Sequence, residues 1–368
     1  EKPVITVFHK AGFGFEAHIP DALCEQGVQV RDLHEVLTTN PELLERDLGR
    51  LAPIPGDKFT LLHTAAWDSG LYVSIPRNVQ VEGVIEIIHW FETPGLHLPH
   101  TVIVAEQGSA ANVVQSFFSP DDAQVFVLGA VEVFNKPNSE LYHTIMQRMG
   151  RKSLFISSVD YEQQRDSRVL SLNVGLGAKV GRTVLQHLMT EQGAEARPLG
   201  LFFGDGKQHL DFRTLQDHRV GHTHSDLLYK GALYDEAVSV FSGMIRVHPK
   251  AQHTDAYQAN RNLLLSDEAQ AYTIPNLEIG ANEVRCTHGA TVGPIQPEEV
   301  FYLRSRGIDP PAAEALIIMG FFEVVLREIK PNDLRLSIQK LLAQKLKGEA
   351  PRYFMDLAEL EEEVAVSA

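Results

Sequence analysis

The sequence predicts a mainly β protein folded as a parallel β-solenoid, and three observations carry that expectation. More than ten short runs rich in β-branched and aromatic residues follow one another at intervals of roughly 10 to 15 residues. Almost no helical period separates them, which excludes a doubly wound α/β fold. Gly and Asn recur at the ends of the runs without a strict repeat, and many runs read apolar without clean alternation. Stacked rungs need turns more than exact repeats, so the solenoid is favoured over a β-sandwich or barrel.

Residues 1–58 read as a small mixed cap. Its short apolar runs are broken by Pro20, Pro41, Pro53 and Pro55, and its best helix candidate runs from Asn40, as N-cap, to Leu48. The β region is expected over 59–296. Its runs are Leu71 to Ile75, Val79 to Ile88, Thr101 to Ala105, Asn112 to Phe118 and Gln124 to Phe134, then Leu154 to Val159, Val169 to Val174 and Thr183 to Met189. Leu199 to Phe203, Gln208 to Thr214, Leu227 to Leu233, Val238 to Val247 and Asn262 to Leu265 continue the series, which ends near Cys286. Residues 297–368 switch to a helical period. One helix from Glu298 stops at Gly307, and a second starts at Pro310 and Pro311 and closes at Lys330 and Pro331. A third follows Asn332 with one leucine-rich face, ahead of an acidic tail around Glu359 to Glu363.

Composition excludes several classes. The chain has 33 Lys and Arg against 48 Asp and Glu, a formal charge of −15, with no basic stripe. Phosphate-backbone binding depends on clustered cations, so no nucleic-acid partner is expected. The longest apolar stretch, Ala312 to Val325, is interrupted by Glu314, Gly320 and Glu323 and falls short of a membrane span. No signal peptide pattern follows Glu1 and Lys2. The two cysteines, Cys24 and Cys286, are too few for a disulfide framework and fit a reducing compartment, with cytoplasm as the expected location.

Most candidate motifs read as structural. Gly175, Gly177 and Gly181 have GxGxxxG spacing without the helix-opening Gly-Lys-Ser/Thr of a phosphate loop, so they are expected at rung turns. Asp205, Asp211, Asp217 and Asp226 would suit glycoside chemistry only if they projected together from neighbouring rungs. Their setting beside turn residues favours local hydrogen bonding. His218, His222 and His224 are the densest histidine group. If His222 and His224 shared a strand face, they would suggest a metal-dependent oxygenase of cupin type, the alternative function, although the carboxylate expected about four residues on is replaced by Leu228.

The most informative segment runs from Leu277 to Gly293. In an extended strand Cys286 and His288 point to one side with Val284, while Arg285 and Thr287 point to the other. Their Cα atoms lie about 6.8 Å apart, close enough for thiolate and imidazole to reach one metal or one cluster. Two ligands make an incomplete site, since structural zinc sites use four. The rest must come from another rung or from a partner chain. A buried thiol beside a satisfied histidine is the competing reading.

Four stretches in order carry a resemblance: Ser239 to Val247, Ala251 to Ser266, Cys286 to Gly293 and Phe301 to Ile308. Together they resemble the SufB/SufD family of iron–sulfur assembly proteins, over about residues 60 to 330, and within it the SufD branch. That branch carries Cys-x-His followed by Gly-Ala-Thr-Val-Gly, whereas the SufB branch has its cysteine where this chain has His288. The resemblance implies a right-handed parallel β-helix flanked by helical regions. It implies a noncatalytic scaffold that pairs its late strands with SufB and docks the ATPase SufC through its C-terminal helices, around Arg304 and Arg306. It also implies that His288 and Cys286 help hold a transient iron–sulfur cluster shared with SufB, with no cofactor bound tightly by the isolated chain. An exposed solenoid edge invites a homodimer when SufB is absent.

Overall fold

The computed structural model describes residues 4–346 other than 12–13, 46, 52–57 and 331. Pro53, Pro55, Pro331 and the acidic tail at Glu359 to Glu363 lie outside the described residues. The N-terminal part contributes β1 (Ile5–Lys10), β2 (Gly14–His18), α1 (Asp21–Glu25), β3 (Gln29–Asp32), α2 (Leu33–Thr39) and α3 (Lys58–Ala66). The main series opens with β4 (Ser69–Ile75), β5 (Gln80–Trp90), β6 (Gly95–His97), β7 (Pro99–Ala105), β8 (Ala110–Phe118), β9 (Val125–Asn135) and β10 (Glu140–Arg148). It continues with β11 (Leu154–Gln163), β12 (Arg168–Gly175), β13 (Val180–Met189), β14 (Glu195–Gly204), β15 (His209–His218) and β16 (His224–Leu233). β17 (Val238–Val247), β18 (Asp255–Leu264), β19 (Gln270–Ile279) and β20 (Arg285–Pro294) precede α4 (Pro297–Ser305), α5 (Pro310–Leu326) and α6 (Asn332–Lys345).

The strands form a parallel β-solenoid of two ten-stranded sheets, β6 joining the second beside β9. One sheet has the order β2-β1-β5-β8-β10-β12-β14-β16-β18-β20, and the other runs β19-β17-β15-β13-β11-β9-β7-β4-β3. From β7 onward consecutive strands alternate between the sheets, so each turn of the chain adds one strand to each. The N-terminal segment is continuous with this stack, because β1 pairs in parallel with β5 and β3 pairs antiparallel with β4.

A column of left-handed backbone positions sets the rung period. Asn78, Gly108, Asn138, Asp166, Gly193, His222 and His253 all have positive φ, between 53° and 77°, and recur every 27 to 31 residues. Glycine, Asn and Asp tolerate this region best, which is why they recur at the strand ends. The turn amides stack from rung to rung: Asn78 N donates to Gln107 O at 2.9 Å, Asn138 N to Arg165 O at 2.8 Å and His222 N to Gln252 O at 3.0 Å. The repeat therefore resides in backbone conformation rather than in residue identity.

Four expectations are corrected. Asn40 does not open a helix to Leu48. Its amide donates to Val36 O at 2.8 Å and closes α2, its side chain accepts from Arg31 at 2.9 Å, and only a 3-10 turn, Pro41–Leu43, follows. The capping side chain is Asp32, which accepts from His34 N and Glu35 N at 2.8 and 3.1 Å. The helix α3 and the strand β10 have no counterpart in the sequence reading. β10 escapes it because its buried face mixes Leu141 and Ile145 with His143 and Gln147, which breaks the apolar run. The series also runs past Cys286 to Pro294.

The inward faces pack Val7, Ile85, Val113, Val131, Phe155 and Tyr161 into one long core. Polar side chains are threaded through it in hydrogen-bonded groups, with a few atoms such as His143 Nε2 left without a partner. His143 Nδ1 lies 2.8 Å from the Tyr161 hydroxyl, His187 sits between Ser171 Oγ at 2.9 Å and Gln163 Oε1 at 2.8 Å, and the Tyr161 and His187 rings stack at 4.4 Å. The C-terminal helices lie on the outer face of the first sheet. Ile318, Phe322 and Val325 of α5 and Ile338 and Leu342 of α6 bury against Leu172, Leu199, Leu201 and Phe203. Each such side chain contributes roughly 1.5 to 3 kcal/mol on burial, so α5 and α6 are integral to the fold.

Burial pushes the imidazoles of His143, His187 and His218 down to about 3. They are neutral when folded and protonate near 6.5 when unfolded, so stability is full above about pH 6.5 and falls as pH drops toward 3, by about 1.4 kcal/mol per pH unit for each histidine. Urea titrations between pH 7.5 and 5 should show this loss, and His187→Gln should flatten it while lowering stability at pH 7.5. An unchanged slope in that variant would refute the assignment.

Candidate metal site at the open end of the solenoid

The two sheets finish together. β19 is the last strand of one and β20 of the other, and no described strand pairs with their outer edges. At the opposite end the last strands are short: β2 has five residues, including Glu16 and His18, and β3 has four, including Arg31 and Asp32. Short charged edges are a usual protection against edge-to-edge pairing. The β19/β20 edges are longer, and the only such devices along them are Pro275 and Glu278 on β19 and the end residues Arg285 and Pro294 of β20. Both strands have ten residues, and Tyr272 is 53% exposed, Ile274 50%, Ile279 43% and Val292 40%.

Cys286 and His288 lie on this final rung. β20 pairs with β18 so that Cys286 stands opposite Ala256 and His288 opposite Gln258. Ala256 and Gln258 are both buried, so the Cys286 and His288 register is the one that faces the solenoid interior. In an inner rung both would be enclosed. Here the next rung is missing: Cys286 is half-buried against Ile245, Val247 and Ala256, while His288 is exposed. Burial, and secondly the nearby Asp255 carboxylate, push the Cys286 thiol up, opposed by a hydrogen bond with the Ala256 backbone. A thiol in this setting needs a metal or a cation beside it to ionise at neutral pH. Among the described residues no group of three or more His, Cys, Asp or Glu is placed to hold a metal. The pair would supply only part of a ligand set, of soft and borderline donors of the kind iron–sulfur or zinc chemistry uses.

The other candidates are not brought together as sites. His222 lies in a turn at φ 57° and not on a strand, and its exposed ring packs against His253 with centroids 4.8 Å apart. Only His224 begins β16, so the shared strand face that a cupin-type pair requires does not exist. His218 is buried and turned inward, with its two ring nitrogens 2.7 Å from Thr223 Oγ1 and 2.8 Å from Ser225 Oγ. Three of the four aspartates are held in ion pairs, Asp205 with Arg151 and Lys345, Asp211 with Arg182 and Asp217 with Arg219, while Asp226 lies half-buried on β16. Gly177 is needed for packing, since a Cβ there would meet Met149 O at 2.2 Å.

Arg304 and Arg306 are exposed on and just beyond α4, a helix with no buried residue. Phe301 is 73% exposed beside them, and the Arg306 guanidinium lies 5.1 Å from the Tyr302 ring centroid. α4 and β20 flank an open apolar groove lined by Val292, Ile295, Tyr302, Leu303 and Phe321. Sequence reasoning missed β19 as part of this surface. The signal was present as Tyr272 and Ile274 at period 2, but a period-2 pattern alone does not say which face lacks a cover.

Comparison with known proteins gives the same frame. The family model for the SUF system FeS cluster assembly SufBD core domain matches residues 91–321, and that for the SufBD protein N-terminal region matches residues 6–87. An iron–sulfur cluster assembly SufBD family protein of Synechocystis is 31% identical over 296 residues, covering 77% of this chain and 65% of the relative. Iron–sulfur cluster assembly protein SufD of Escherichia coli is 32% identical over 254 residues, covering 69% and 60%, and SufD of Bacillus subtilis is 27% identical over 333 residues, covering 88% and 75%. The chain thus spans under two thirds of the length of the first two relatives. With a core-domain match running from β5's end to α5 and an N-terminal match ahead of it, this chain belongs to the SufB/SufD family of iron–sulfur cluster assembly proteins.

Proposed function

We propose that the chain is a noncatalytic scaffold subunit, and that its β19/β20 end pairs with a SufB-type subunit to complete a transient iron–sulfur site. The observation that carries this reading is a half-formed ligand set, Cys286 and His288, on a strand edge that no described strand covers. A partner strand added to β20 would satisfy its free backbone groups, cover the apolar residues of the last rung and bring the missing ligands. The cluster is cargo in this scheme, assembled between subunits and passed on, with thiolate and imidazole as its contacts on this side. The same edges favour a homodimer when the partner is absent, because a two-fold axis lets each edge pair with its copy.

The α4 surface is the proposed dock for a SufC-type ATPase. Its exposed Phe301 and Tyr302 with Arg304 and Arg306 have the aromatic and Arg composition of interface hot spots. ATP dependence would enter through that partner, since the Gly175 to Gly181 segment serves rung packing. Two free cysteines and no disulfide among the described residues support a reducing compartment, and we place the protein in the cytoplasm.

His288→Ala should leave the melting temperature and complex assembly unchanged, because the side chain is exposed, and should lower cluster formation on the reconstituted complex by about tenfold or more. Undiminished cluster formation would remove His288 from the site.

For the dock, truncation at 297 is a poor test because it strips α5 and α6 from the core they cover. The double substitution Arg304→Glu with Arg306→Glu leaves that core intact. It should abolish capture of a SufC-type partner in a pull-down while the SufB-type contact persists, and retained capture would place the contact elsewhere.

A further inference from the structure

A second polar site lies far from the open end, on the outer face of the β7-β9-β11-β13 sheet beneath α3. The strand register sets Val102, Glu132, Asp160 and Gln186 side by side in one row, and His100, Ala130, Ser158 and Val184 in the next. Carboxylates on the outer face of a sheet ordinarily meet water. Here α3 and the segment around Leu48 cover them, leaving Glu132 2% and Asp160 1% exposed at a cavity of about 240 Å³.

The two acids are treated differently. Glu132 is fully engaged: it accepts from Gly49 N at 2.7 Å, Leu51 N at 2.8 Å and His100 Nε2 at 3.0 Å. The Ser158 and Gln186 side chains interact with the Asp160 carboxyl, but its Oδ1 has no hydrogen-bond partner, and neither has the buried His100 Nδ1. Because His100 donates its Nε2 proton to Glu132, its Nδ1 is an acceptor when the ring is neutral. Two orphaned acceptors therefore line one cavity. Burial, then the Glu132 charge, push the Asp160 carboxyl well above the usual carboxylate range, so the empty site favours the neutral acid and a bound cation would have to displace its proton to pair with the carboxylate. His63, the remaining titratable wall, donates its Nε2 proton to Pro99 O at 3.1 Å and is held down to about 4 by burial and by His100, so it brings no positive charge. A buried polar group left unsatisfied costs about 1 to 3 kcal/mol, a cost the fold would shed if nothing used the group.

We propose that this cavity binds a small organic cation with at least one N–H donor, its charged end at Asp160 and its apolar body against Trp67 and Leu128. The acids exclude an anion, and the described residues offer no three-ligand metal set. Sites for drug-sized ligands occupy roughly 300 to 1,000 Å³, so this one takes a fragment-sized amine rather than a nucleotide or peptide. Trp67, with its ring 5.8 Å from that of His100, provides an aromatic wall that favours a cation. The site shares no residue with the proposed subunit contacts, so it stands or falls independently of them.

Benzylamine is a suitable probe and benzyl alcohol its neutral counterpart, with binding read by calorimetry and by the fluorescence of Trp67 in the full-length chain. Saturable binding of benzylamine is expected, with benzyl alcohol weaker by about tenfold or more. Asp160→Asn should abolish benzylamine binding and raise the melting temperature of the free protein, because the buried ionisable group is gone. Ala130→Leu fills the cavity without touching the acid and should block binding as well, which keeps the test open if the first variant misfolds. No saturation up to about 10 mM benzylamine, equal binding of the alcohol, or unchanged affinity in both variants would overturn the proposal.

Discussion

The parallel backbone ladder between rungs governs the molecule. Each strand satisfies its N–H and C=O groups only by pairing with the strand one turn earlier and one turn later, and the left-handed turn column from Asn78 to His253 keeps those turns in step. Such a ladder has no intrinsic end. Whatever rung comes last must leave a row of backbone groups and a set of inward-facing side chains without a neighbour. The chain answers this at the N-terminal end with the short antiparallel strands β2 and β3, whereas no described strand covers β19 and β20 at the other.

That asymmetry turns ordinary core positions into a candidate site. Cys286 and His288 occupy the register that in earlier rungs holds enclosed residues such as Ala256 and Gln258, and the missing rung exposes them. The C-terminal helices do not repair the end. They lie along the outer face of the sheet, with the Lys230 ammonium donating to Phe321 O at 2.5 Å, and thereby leave the last rung free while presenting α4 beside it. One terminus of the solenoid thus offers two adjacent surfaces, an unpaired edge and an exposed aromatic helix.

The interior records the cost of the architecture. A sheet enclosed on its inner face favours apolar residues, yet His143, His187, Gln216 and His218 are buried there and are held by side-chain partners on neighbouring rungs. Hydrogen-bonded polar networks of this kind fix register, since a one-residue slip would break every bond at once. The interior also leaves single atoms such as His143 Nε2 and Gln216 Oε1 without partners, and the Asp160 site differs in that its unpartnered atoms border a cavity.

The sequence by itself determined the architecture and the pair of interest. Turn residues at strand ends gave the solenoid, Gly307 and Pro310 gave the helix boundaries, and the i, i+2 spacing of Cys286 and His288 put them on one face, because these signals are local and the backbone geometry that reads them is local too. It did not reveal α3, β10, the turn position of His222 or the role of Asn40. Those depended on which side chain won a distant partner, as Arg31 did for Asn40. Only the tertiary structure decided that β19 and β20 are the uncovered rung and that Glu132 and Asp160 are buried side by side. Exposure and juxtaposition are sums over chain segments far apart in sequence, and no local pattern contains them.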